Sequence, residues 1–129
     1  MSRADDLLAG LNDVLAHIAR VLPVGRQRYD ADELMRLAVQ RLWITTGNLA
    51  EQFRLAAGLP DGTEPWTELY LYRCILAHAL PEELSDERIW EESTRDLERL
   101  RRAVLQALEG GGSSACGGSQ AVATPWWPT

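Results

Sequence analysis

No lysine occurs in this sequence. All 13 basic residues are arginine, and 19 acids outnumber them, for a formal charge of −6. Such a chain is a poor general binder of nucleic acid, because that binding rests on neutralising phosphates. A local basic site remains compatible with the total. Cysteine is scarce as well: Cys74 falls in a helical stretch and Cys116 in a Gly/Ser-rich tail. That is no disulfide framework, and it points to a reducing compartment. The two histidines, His17 and His78, are far apart, and no cluster has metal-ligand spacing. We therefore expect neither metal nor other cofactor. No apolar run reaches the roughly 20 residues that span a bilayer. The opening MSRADDLLAG has aspartates where an export signal wants basic residues. The expectation is a cytoplasmic protein with no membrane role.

What is present suits one globular domain. The 129 residues are 46% hydrophobic and 25% charged, ordinary values for a soluble fold. Residues 81–110 are the most acidic part, a face most often simply solvated.

Apolar spacing predicts four helices. Leu7, Leu8, Leu11, Val14, Leu15, Ile18 and Leu22 recur at three and four residues, giving a helix over about 4–22 that Pro23 and Gly25 end. A second helix starts near Asp30, with Glu33 completing a capping-box pattern. Its stripe reads Leu34, Leu37, Ala38, Arg41/Leu42, Thr45, Leu49, Phe53 and Ala56, and Gly58 and Pro60 end it. Gly47, in its interior, signals close packing of a neighbouring helix. Pro65 suits the first position of a third helix, which runs to about Leu80 before Pro81. Ser85 caps a fourth, with Ile89, Trp90, Ser93, Leu97, Leu100, Val104 and Leu108 as its stripe and Gly110 as its stop. Short connections imply an all-α, antiparallel four-helix bundle over residues 1–110. Residues 111–129 read as a disordered Gly/Ser-rich tail, in which Trp126 and Trp127 are unusual.

The third helix carries the chemistry. Leu69–Leu80, LYLYRCILAHAL, is apolar or aromatic nearly all round, broken only by Arg73 and His78. A buried arginine needs a partner or a polar cavity, and a structural ion pair with a glutamate of a neighbouring helix is the plainest account. Five residues put Arg73 and His78 roughly 140° apart and about 7.5 Å along the axis. Both can line one site only if it wraps around the helix end or if a second subunit approaches. His78 falls in the last turn, and imidazole is the side chain that trades protons near neutral pH. His17 has no evident chemical role.

Arg73-Cys-Ile-Leu-Ala-His78 resembles the Arg-x4-His motif of HEPN-superfamily ribonucleases, in particular HepT-like toxins. Ala38–Ala50 (AVQRLWITTGNLA) is similar to that family's long second helix, with its Ile-Gly-Glu-Ala type signature around Gly47. Trp66 precedes the motif at about the family's distance. Ile89-Trp90, Asp96-Leu97 and Leu100 look like its final helix. The resemblance covers about residues 4–109. It implies a two-fold homodimer in which Arg73 and His78 of both subunits line a cleft and cut RNA without metal, and a nucleotidyltransferase (MNT-type) antitoxin as partner. His78 would be general base or acid, and Arg73 would stabilise charge on the phosphoryl oxygens. Three positions depart from the pattern. Cys74 stands where a polar residue, often Asn, follows the Arg; Asn48 stands where Glu is common; Leu80 replaces the tyrosine on which related antitoxins place AMP. The alternative is a non-catalytic HEPN subunit that dimerises and binds a nucleotidyltransferase; a plain helical interaction module is the third reading.

Overall fold

The computed structural model describes residues 2–110; the Gly/Ser-rich tail expected to be disordered, with Trp126 and Trp127, lies outside the described residues. Among the described residues there is no strand, so the chain is all-α as expected, but it has five α-helices rather than four. They are α1 (Arg3–Val21), α2 (Arg26–Ala31), α3 (Glu33–Ala56), α4 (Trp66–His78) and α5 (Asp86–Glu109).

Local chemistry sets most of the boundaries. Ser2 and Asp5 form a reciprocal capping box at α1. A short 3-10 turn, Leu22–Val24, and Gly25 at φ 93° end that helix. The extra helix, α2, holds because Tyr29, its one buried residue, sits 4.7 Å from the Trp90 ring. It displaces the expected cap. Asp32, extended at φ −120°, is the N-cap of α3 and accepts from the Met35 amide at 3.1 Å. Asp30 instead pairs with Arg26 at 2.9 Å within α2. Ser85 caps α5 as expected, accepting from the Arg88 amide at 3.2 Å. Pro65 is the N-cap of α4 rather than its first residue, and Ala79, with ψ 149°, stops that helix ahead of Leu80.

The four long helices alternate in direction. Arg3 reaches Gln52, so α1 runs against α3 while Gly10 faces Leu49. Rings pair Trp43 with Tyr72 and Phe53 with Trp66, so α4 also runs against α3. Arg36 meets Asp86 and Trp43 meets Ser93, so α5 runs with α3. The result is a helical bundle whose core holds Leu8, Leu11, Leu15, Ile18, Trp43, Leu69, Leu100 and Val104.

The stripe expected on α3 is corrected. Its buried face is Val39, Trp43, Thr46, Gly47, Ala50, Phe53 and Arg54, whereas Leu34 and Leu37 are 77% and 51% exposed. Trp43 decides the rotation. It is fully buried, and its indole N–H donates to Ser93 Oγ at 2.8 Å. An indole donor left unpaired in the core would be costly, so the helix turns to seat it. Arg54 enters the buried face because Glu51 and the Leu59 carbonyl satisfy its guanidinium.

Contrary to the sequence expectation, one segment, Arg3–Val24, is long and apolar enough by length and composition to cross a membrane. Leu7, Leu8, Leu11, Leu15 and Ile18 of that segment are core residues of the bundle, which accounts for its apolar character.

A buried acid joins α4 to α5. Glu68 is 4% exposed and pairs with Arg99 at 3.1 Å. Burial outweighs the arginine and pushes its carboxyl up to about 7 from 4.5. The folded state therefore holds this proton where the unfolded chain has lost it. Stability from this group is fully present below pH 4.5 and declines as pH rises towards about 7. In thermal melts across that window, Glu68→Gln should show a flatter fall in Tm than wild type; equal slopes would remove Glu68 as the cause.

Candidate functional site

The site begins with a missing side chain. A Cβ built on Gly47 would lie 2.3 Å from Arg73 Cβ and 2.6 Å from the Leu69 carbonyl oxygen. Only glycine lets α3 and α4 approach this closely, as its position in the sequence suggested. The contact lays the stem of Arg73 across α3 and brings its head to Asn48, where Arg73 Nε donates to Oδ1 at 2.7 Å.

That partner was not anticipated. The glutamate expected to pair with Arg73 is absent: among the described residues no acid bridges it. Asn48 is neutral, so it fixes the guanidinium without cancelling its charge. The bond uses one of the five N–H donors of the fork, and Arg73 is only partly buried. In sequence Asn48 stood out merely as a departure from the usual glutamate. The signal that could have found it is the Gly47-Asn48 pair itself, since whatever helix meets the glycine must also meet its neighbour.

His78 is the last residue of α4 and is exposed. Within one chain it does not converge with Arg73. Helical geometry sets the two roughly 140° apart, and Tyr70, Cys74 and Ala77 occupy the sector between them. Tyr70 and Cys74 are half-buried and Ala77 is exposed. His17 is distant in role as well as sequence; it is exposed on α1 beside Arg20.

Charge distinguishes this face. None of the 19 acids lies in residues 34–50 or 69–81, the stretches of α3 and α4 that surround the Gly47 contact. Those stretches hold Arg36, Arg41, Arg73 and His78. Arg36 is committed to Asp86 at 3.2 Å, while Arg41 is exposed. Acids of other segments reach the end of this face, Asp86 at Arg36 and Gln40, and Glu83 at the Leu80 amide, but none bridges Arg73, whose charge can attract an anion locally. Leu34, Leu37, Leu71 and Leu80 of these stretches are exposed to solvent. An open depression of about 280 Å³ at the start of α5 is lined by Ser85, Glu87, Arg88, Glu91, Glu92 and Arg95. Its central charges are paired with one another, and neither Arg73 nor His78 borders it.

No family profile, no curated protein and no solved structure matches the chain. The functional reading therefore stands on the residues and on the motif resemblance.

Proposed function

We propose that this chain is a HepT-like toxin of a toxin–antitoxin pair: a homodimeric, metal-independent endoribonuclease. The observation that carries the reading is the α3–α4 contact, where Asn48 holds Arg73 without neutralising it while His78 stands exposed at the end of the same helix. His78 takes the proton of a ribose 2′-hydroxyl or returns one to the leaving 5′-oxygen. Arg73 offers its remaining donors to the phosphoryl oxygens as negative charge builds there. Because the two side chains diverge on one helix, the composite site needs a second copy whose α4 lies alongside. Exposed Leu34, Leu37, Leu71 and Leu80 supply apolar area for that association. Sizing with light scattering at micromolar concentration should give twice the 14.4 kDa chain mass. A monomer would remove the composite site. The direct test of function is RNA cleavage by purified protein in excess chelator, which should persist.

A second reading, the non-catalytic HEPN subunit bound to a nucleotidyltransferase, is favoured by one position. Leu80 is 56% exposed and has no nucleophilic atom where related proteins carry tyrosine. The chain's own tyrosines offer little instead. Tyr29 and Tyr72 are buried, and burial raises both hydroxyls far above their ordinary range. Only Tyr70 is partly open. The partner under either reading is therefore expected to act by covering this face rather than by modifying it. After incubation with such a nucleotidyltransferase and ATP, intact-mass spectrometry should find the chain bound but unmodified. AMP mapped to Tyr70 would overturn the occlusion account.

A further inference from the structure

Two of the three arginines in residues 34–50 and 69–81 meet no acid. Arg36 pairs with Asp86, whereas no ion pair among the described residues reaches Arg41 or Arg73. Both come to one face of α3. Arg41 and Asn48, whose side chain holds Arg73, are seven residues apart on that helix, so they share a face and stand about 10 Å apart along the axis. Thr45 lies between them on the same face. Trp43 points the other way, to Ser93 of α5, so this row looks away from α5. Each member offers a donor. Arg41 is exposed. Thr45 is half-buried, and its hydroxyl bonds no carbonyl among the described residues, whereas those of Thr46, Ser93 and Thr94 return to the carbonyl four residues back. The Oδ1 of Asn48 is taken by Arg73 Nε, so the amide presents its NH2 elsewhere. Leu34, Leu37 and Ala38 continue this face towards the start of α3 and are exposed; Arg41 marks where it turns from apolar to polar.

We infer that Arg41, Thr45 and Asn48 form, with Arg73, a row of donors that binds the phosphate backbone of a single RNA strand and leads it to the reacting phosphate. The inference rests on the ribonuclease reading above and names the path of its substrate. The row is one helix face wide, which suits one strand rather than a duplex. Its span of about 10 Å is no more than about three nucleotide steps of ~3.4 Å, so Arg41 meets a phosphate a few nucleotides from the one at Arg73. Contacts to phosphate position a strand without reading its bases, and the row therefore accepts any sequence. It also answers the charge of the chain. A protein at −6 repels RNA as a whole, and two guanidiniums without acid partners supply the local attraction that offsets this.

The experiment measures binding apart from cleavage. The full chain is titrated into a short fluorescein-labelled 2′-O-methyl RNA strand, which has no 2′-hydroxyl to react, and anisotropy is followed over a series of salt concentrations. Arg41→Ala should bind roughly 5-fold more weakly at about 0.1 M salt and lower the slope of log affinity against log salt by ~0.7, the share of one phosphate contact on a single strand. Arg41→Lys keeps the charge and should restore the slope. Thr45→Val should weaken binding by roughly 2–10-fold at every salt, because it removes a neutral hydrogen bond, and leave the slope alone. Arg102→Ala is the control for net charge: Arg102 is exposed on α5, with no acid bridging it among the described residues, and its loss should matter less. On cleavable RNA at limiting concentration, Arg41→Ala should lose cleavage in proportion to binding, and saturating RNA should recover most of it. Wild type that binds the strand, with Arg41→Ala and Thr45→Val indistinguishable from it, overturns the row and leaves the ribonuclease reading standing. Equal losses in Arg41→Ala and Arg102→Ala overturn the row as well, since net charge then accounts for both. Wild type that neither binds the strand nor cuts RNA ends the ribonuclease reading and the row with it.

Discussion

His78→Ala should lower RNA cleavage by at least ~100-fold without lowering Tm. The side chain is exposed at the end of α4, with no hydrogen bond to the rest of the chain among the described residues, so the fold has nothing to lose. Arg73→Ala should lower cleavage by a similar factor, because a charge-stabilising donor contributes ~100-fold or more. It should also cost stability: the Arg73 stem fills the space over Gly47, and its head holds Asn48. Arg73→Lys separates the two effects. Lysine keeps the positive charge and most of the stem but loses the planar fork, so the melt should recover more fully than the cleavage. Both assays run in excess chelator. Equal cleavage by wild type and His78→Ala would end the catalytic proposal and leave the binding-subunit reading as the better account. Loss of cleavage in His78→Ala with a matching fall in Tm would instead make His78 structural.

How much of this was legible in sequence depends on whether a residue's role is set by its own helix or by a neighbour. α1 and α5 read correctly because their stripes are one-sided and nothing competes: Leu11, Leu15 and Ile18 on one, and Leu97, Leu100 and Val104 on the other, are buried as spaced. On α3 two faces are apolar enough to serve as the core. Spacing favoured the leucines at 34 and 37, but the indole of Trp43 needed Ser93, fifty residues away, and no periodicity within α3 could show that. α2 escaped notice because its anchor, the Tyr29–Trp90 contact, is also distant in sequence. The candidate site divides in the same way. Arg73 and His78 were visible as polar breaks in an apolar helix. The neutral partner at Asn48, and therefore the uncompensated charge of Arg73, required knowing which helix meets Gly47.

Gly47→Ala should be among the most damaging single methyl additions in this chain. Alanine favours a helix interior over glycine by about 1 kcal/mol, so in an open helix the change would stabilise. Here the new methyl would sit 2.3 Å from Arg73 Cβ and 2.6 Å from the Leu69 carbonyl. Neither neighbour can swing aside, since one is fixed to the backbone of α4 and the other belongs to it. The helices must part along their contact, which opens the Trp43–Tyr72 and Phe53–Trp66 ring pairs flanking it. Overpacking of this kind costs ~1–3 kcal/mol and occasionally more, and backbone contacts place Gly47 at the upper end. After the propensity gain, a net loss of about 2 kcal/mol lowers Tm by roughly 8–16 °C for a domain of this size. Gly10→Ala is the control. Its added methyl would meet only Leu49 Cδ1, at an ordinary 3.6 Å, so the propensity gain should survive and Tm should hold or rise. The site gives a second readout. Parting α3 from α4 draws Arg73 away from Asn48, so Gly47→Ala should lose cleavage even at temperatures where it remains folded, and Gly10→Ala should keep it. If Gly47→Ala melts and cuts like wild type, the close approach of α3 and α4 is wrong, and with it the geometry assigned to Arg73.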